Sequence, residues 1–299
     1  MRLKLYFTTF LSLWAVIFTA DAAVLQLNSP TFDRWVYPFN FTPGTRATAS
    51  AFGAVGTGPG VFDDRDGQFY LHYDTSSATG DFAPGQGVGN YQVDGLTLRL
   101  TAVSVSGSVF YDPSYDPVST YGGGTDSDPS RPFELFGAGF RNGFMASTFG
   151  ETGPHSIGDP TIPGTRNVFA SDALGNDVSN NFTNFGGSAF DVDPFAVGTA
   201  STLNPGDAIT AGTVFEFDVN LADADIANYV QEGLNSGGLS FVLTSLQETT
   251  QTNPTIVNWG TKEGGSSASM TVVPEPSSVA LLGLGGAVLA FWRRHRHRA

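Results

Sequence analysis

The chain has 299 residues, with 14 lysines and arginines against 28 aspartates and glutamates, a net charge of -14 and no cysteine. An acidic body repels nucleic acid, whose phosphates need cations, and the missing cysteines exclude a disulfide scaffold, a thiol nucleophile and a cysteine-ligated zinc site. Charged residues make up only 14% while Gly reaches 37 and Phe 25, which suits a globular core and fits neither a coiled coil nor a charged disordered chain.

At the start, Arg2 and Lys4 precede an apolar stretch from Leu5 to Ala20, followed by Ala20-Asp21-Ala22. A basic beginning, an apolar centre and small residues at a cleavage site predict a secretory signal peptide over 1–22. Export gives the absent cysteines a meaning: an oxidising compartment permits disulfides, so the body at 23–263 must be held by its own core. Between Ala23 and Val272 eight basic residues face 26 acidic ones, leaving -18 on the body alone. Such a body is soluble and repels anionic polymers unless divalent cations bridge the two.

The first motif, Asp33-Arg34-Trp35-Val36-Tyr37-Pro38-Phe39, combines a candidate salt bridge with aromatic rings. An aromatic strip can bind sugar faces, yet an aromatic-rich strand packed into a core is more often the answer. Asp63-Asp64-Arg65-Asp66-Gly67 has hard oxygen donors at close spacing before a glycine. That makes Asp63, Asp64 and Asp66 a calcium candidate without the terminal bidentate Glu of a known loop, and a solvated acidic hairpin explains them as well. Asp126, Asp128, Asp191, Asp193 and Asp207 are oxygen-rich with less order.

Residues 68–73 alternate as a strand. Residues 91–105 place Val93, Leu96, Leu98, Leu100, Val103 and Val105 in two period-2 registers, with slips between Val93 and Leu96 and between Leu100 and Val103. The slips predict bulges or two strands. Residues 213–219, 239–246 and 267–273 read as further strands, while 112–132 and 151–164 are Gly-, Pro-, Ser- and Asp-rich and read as long surface loops. One helix is predicted from Asp223 to Gly233, with Ile226, Tyr229, Val230 and Leu234 on one stripe, a cap at Asp223 or Asp225 and a stop at Gly233. The expected fold is all-β: a jelly-roll-like β-sandwich with one short helix, its phenylalanines filling the space between the sheets.

The order running from Phe217-Asp218-Val219 through Tyr229-Val230 to Leu234-Asn235-Ser236-Gly237-Gly238-Leu239-Ser240-Phe241 resembles a pattern in extracellular β-sandwich modules related to carbohydrate-binding jelly rolls. The resemblance supports the fold more than any binding activity. No HExxH, GxSxG or P-loop pattern occurs, and only His72 and His155 lie in the body, so the residues support no catalytic group and the protein is expected not to be an enzyme. His72 reads as an exposed or hydrogen-bonded strand histidine ahead of a catalytic one.

After a Ser/Gly-rich stretch at 264–272, expected as a linker, come Val273-Pro274-Glu275-Pro276, an uncharged run at 279–292 and a basic tail at 293–299 containing Arg293, Arg294, Arg296 and Arg298. Fourteen helical residues reach about 21 Å, short of a ~30 Å hydrocarbon core, so this sorting helix spans a membrane only with help from snorkelling arginines. The arginines hold that end in the cytoplasm as a stop-transfer tail. This three-part order over 273–299 resembles the PEP-CTERM sorting domain of Gram-negative bacteria. The resemblance implies an exosortase as processing partner, with Pro274, Glu275 and Pro276 as the residues it reads. It also implies a membrane-anchored intermediate in the inner membrane and delivery to the cell surface or an exopolysaccharide matrix. The reading is an exported, tail-processed protein with a non-catalytic body, no cofactor beyond the calcium candidate and no nucleic-acid partner. Its runner-up adds carbohydrate or exopolysaccharide binding by the sandwich, and a secreted glycan hydrolase ranks behind that.

Overall fold

A computed structural model describes residues 23–275, except for 41, 55–63, 119, 121–129, 158–164 and 182–188. The signal peptide, Asp63, Asp126, Asp128, Pro276, the apolar run at 279–292 and the four terminal arginines lie outside the described residues.

Two antiparallel sheets face each other. The first holds β1 (Leu25–Leu27), β13 (Ser269–Pro274), β6 (Val93–Ser106), β12 (Ile256–Gly260) and β3 (Thr48–Ser50) in that order, with β10 (Val214–Asp218) also paired to β6. The second runs β2 (Phe32–Val36), β5 (Asp64–Asp74), β11 (Gly238–Ser245), β7 (Phe133–Phe140), β8 (Val168–Ser171), with β4 (Phe52–Ala54) on β5 and β9 (Ala196–Val197) on β7. The successive long strands β5, β6, β7, β10, β11 and β12 alternate between the sheets. That alternation is the jelly-roll-like sandwich expected from the turn-rich, period-2 sequence.

Alternation along each strand builds the core. Leu96, Leu98 and Leu100 of β6 and Phe215 and Phe217 of β10 meet Phe69, Leu71 and Tyr73 of β5 and Leu239, Phe241 and Leu243 of β11 between the sheets. Each such side chain contributes about 1.5–3 kcal/mol by leaving water. The slips seen in the sequence of 91–105 are register shifts within one strand. Val273 and Pro274 pair with Gly95 and Val93, skipping Asp94, and Asn258 and Trp259 pair with Ser104 and Ala102, skipping Val103.

The helix α2 (Ala224–Ser236; the shorter α1 is Ala146–Phe149) starts where expected, with the Asp223 side chain accepting from the Asp225 and Ile226 amides. It does not stop at Gly233. Gly237, at φ 86, makes the left-handed cap. Gly233 has a packing reason instead: a Cβ there would lie 2.5 Å from Leu239 Cδ2. Ile226, Val230 and Leu234 join the main core, and the Tyr229 hydroxyl donates to the Ser240 carbonyl at 2.6 Å while accepting from the Ala138 amide at 2.9 Å.

Two other expectations are corrected. The segment at 264–272 is not a linker throughout, because 269–274 form β13, with Met270 and Val272 fully buried between β1 and β6. The folded body therefore reaches Glu275. The segment beginning at Glu151 is also more than surface loop. Together with α1 and residues 165–181 it covers the outer face of the second sheet, where Tyr70, Phe136, Phe149, Val168 and Val242 form a second apolar cluster. This is why β5 is buried on both faces. Much of that cover is polar: Arg34 donates to the Phe149, Gly150 and Gly153 carbonyls, and Arg65 to the Glu134 carboxylate.

Candidate functional site

Strand β2 lies at an edge of the second sheet, and its residues alternate between two environments. Arg34 and Val36 turn to the covered outer face, packing on the cluster around Phe149. Asp33, Trp35 and, just past the strand, Tyr37 take the other parity. This alternation is why the candidate salt bridge of Asp33 with Arg34 does not form: neighbours on a strand point apart, and Arg34 takes carbonyl partners instead, its guanidinium 4.0 Å from the Phe149 ring. Burial pushes the Arg34 guanidinium down to about 10, with Glu151 opposing the shift.

The aromatic strip forms one wall of a groove. Trp35 and Tyr37 stack with centroids 4.8 Å apart, and the Phe52 ring meets both edge-on at 6.3 and 5.6 Å. Phe52 reaches this position because Gly67 on β5 has no side chain, a Cβ there falling 2.4 Å from the Phe52 ring. Thr249, Thr250, Gln251, Pro254 and Ile256 supply the opposite wall of a cavity of about 340 Å³. The β11–β12 loop is set by its own hydrogen bonds, Thr255 N–H to Thr249 Oγ1 at 2.9 Å and Asn253 N–H to Thr250 Oγ1 at 3.1 Å. The Trp35 indole nitrogen is buried with no hydrogen-bond partner among the described residues, and a desolvated donor without an acceptor costs about 1–3 kcal/mol. Phe39, 47% exposed, continues the strip beside Tyr37 at 5.9 Å.

An acidic group forms around Asp33. Glu151 follows α1, and Lys262 and Glu263 lie in the turn after β12. Carboxylate oxygens of Asp33, Glu151 and Glu263 lie within 4.8 Å of one another. Asp33 is 1% exposed; its Oδ2 accepts from the Lys262 amide at 2.7 Å, and among the described residues its Oδ1 has no hydrogen-bond partner, nor has Glu151 Oε2. The Lys262 ammonium contacts Glu151 Oε1, donates to the Thr31 carbonyl at 2.7 Å and stands 3.7 Å from Glu263. Burial pushes the Asp33 carboxyl up to about 7, the Lys262 amide opposing and the neighbouring Glu263 and Glu151 adding to it.

The other residues singled out from the sequence fall elsewhere. Asp66 ion-pairs with Arg166, and Asp64 is fully buried at the start of β5, so these two belong to the polar cover of the second sheet and not to a solvated hairpin. Asp191 accepts from the Val118 amide, a bond between segments 73 positions apart, and Asp207 accepts from the Asn204 amide within one turn. His72 is the strand histidine expected, its Nδ1 2.8 Å from Ser240 Oγ and its ring stacked 5.5 Å from Phe32, with burial lowering its pKa. Sequence reasoning missed Glu151 and Glu263, which no local spacing connects to Asp33.

Pro274 is buried at the end of β13, and the Glu275 N–H donates to the Gln92 carbonyl at 3.1 Å. These two residues lie near the start of the stretch, 272–294, that is matched by the family model of the PEP-CTERM protein-sorting motif. No curated protein and no solved structure matches the chain. The motif implies processing by an exosortase and a membrane-anchored sorting intermediate. On this match the chain is a PEP-CTERM motif-containing protein, exported and sorted through its C-terminal tail.

Proposed function

We propose that the body is a non-catalytic carbohydrate-binding module, delivered by the tail to the cell surface or exopolysaccharide matrix of a Gram-negative bacterium. In this reading the exosortase takes Pro274, Glu275 and Pro276 as its recognition residues, and Arg293, Arg294, Arg296 and Arg298 hold the tail until cleavage. The observation that carries the binding reading is the groove itself, lined by the rings of Trp35, Tyr37 and Phe52 together with the polar residues Thr249, Thr250 and Gln251. Sugars present both partners such a lining needs, an apolar C–H face for the rings and hydroxyls for the threonine and glutamine side chains. The acidic surface favours neutral glycans over anionic ones at low salt.

The test is a glycan array probed with the full chain in mild detergent, alongside Trp35→Ala and Tyr37→Ala. A defined set of glycans should bind, and each variant should lose about tenfold or more in affinity. An array that stays silent, or binding that both variants keep, defeats the reading.

A further inference from the structure

We propose that Asp33, Glu151 and Glu263 form a binding site for a divalent cation of the calcium type, independent of the aromatic groove. Three segments far apart in the chain bring these carboxylates together: strand β2, the residue after Gly150 at the end of α1, and the turn after β12. Clustered acids alone would mean little. What points to a ligand is that the most buried of them, Asp33, has one oxygen without a donor within the cluster, and that Glu151 offers a second such oxygen. Gly44 makes room on that side, since a Cβ there would lie 2.6 Å from Glu151 Oε2.

The charge balance agrees. One ammonium, Lys262, faces three carboxyl groups, and Arg34 is taken up by three backbone carbonyls, so a dication neutralises what the protein's own cations leave. All three donors are hard oxygens. They lie within 4.8 Å of one another, near enough for one ion with bonds of about 2.3–2.6 Å to reach all three, and calcium tolerates such an irregular donor set where magnesium demands near-ideal octahedral geometry. The Thr31 carbonyl, now capped by Lys262, supplies a further oxygen once the partly exposed ammonium turns to solvent.

The test is thermal unfolding of the full chain in mild detergent, at fixed ionic strength, with EDTA, calcium chloride or magnesium chloride. Wild type should gain roughly 5 °C in Tm at calcium about a hundredfold above its Kd, and much less with magnesium. Glu263→Gln, at an exposed position that tolerates the change, should lose that gain, as should Asp33→Asn. Calorimetric titration with calcium alone should give one site in wild type and none in either variant. No calcium-specific gain in wild type, an equal gain with magnesium, or a gain kept by Glu263→Gln would overturn the assignment. Because Trp35 and Tyr37 take no part, failure here leaves the glycan result unaffected, and the reverse.

Discussion

Pro274 stands opposite Val93 at the end of β13, so the sorting motif begins inside the folded sheet. A proline is tolerated there because it lies at a register shift at the strand end, where no ladder N–H is required. The next residue is held as well, by the Glu275 amide on the Gln92 carbonyl. An enzyme that reads an extended Pro-Glu-Pro segment must therefore release these two residues or reach them before β13 docks. Inserting six Gly/Ser residues between Val273 and Pro274 removes that hold while keeping the rest of β13 paired. Releasing one buried residue and one hydrogen bond is a matter of about 1–2 kcal/mol, so tail removal should accelerate by a factor of roughly 5–30. Pulse-chase immunoblots of the producing cell measure it; an unchanged or slower rate would show that docking of the strand does not limit processing.

Arg65 and Glu134 form an ion pair at 2.7 Å with each side chain 1% exposed. The guanidinium also donates to the Val178 carbonyl and to Asn181, and lies 5.3 Å from the Phe136 ring. Removing one partner leaves the other charge buried without compensation, which costs about 3–5 kcal/mol, whereas removing both can be nearly neutral. Arg65→Met should therefore lose that much in urea unfolding of the full chain, and Arg65→Met with Glu134→Leu should regain more than half. Equal losses in the single and double variants would mean that packing, not charge, is what Arg65 supplies.

The features that could be read from the sequence are those whose signal is local. The Asp223 cap and the stripe of Ile226, Val230 and Leu234 lie within one helix, and the two slips in 91–105 sit in one strand whose side-chain period is two. Gly233 and Gly237 look alike in the sequence, and only the approach of Leu239 separates packing glycine from capping glycine. The acidic group was out of reach for a different reason: Glu151 and Lys262 lie 118 and 229 positions from Asp33. The outer layer over the second sheet was misread because it buries arginines, asparagines and carbonyls, so its composition imitates a solvent-exposed loop. The strip of Trp35 and Tyr37 was visible as a motif, but its partner Phe52 depends on a missing side chain at Gly67, a contact between strands.

His155 carries the last prediction. Neither ring nitrogen has a hydrogen-bond partner among the described residues, and burial, with the Arg166 and Arg34 charges nearby, lowers its pKa to about 4 from the usual 6.5. In the folded protein the ring stays neutral down to about pH 4, while in the unfolded chain it takes a proton from about pH 6.5. Between those values the unfolded state binds more protons, so stability falls as pH falls, by up to about 3 kcal/mol once the window is crossed. Asp33, whose carboxyl is raised from 3.8 to about 7, runs the other way across the whole of that range, so the wild-type curve alone mixes the two. The difference between wild type and His155→Phe isolates the histidine. That difference should favour wild type least at pH 4 and rise toward a plateau above pH 6.5, read from urea midpoints of the full chain across the range. A difference independent of pH would mean that neither burial nor the two arginine charges hold the ring neutral in the folded protein.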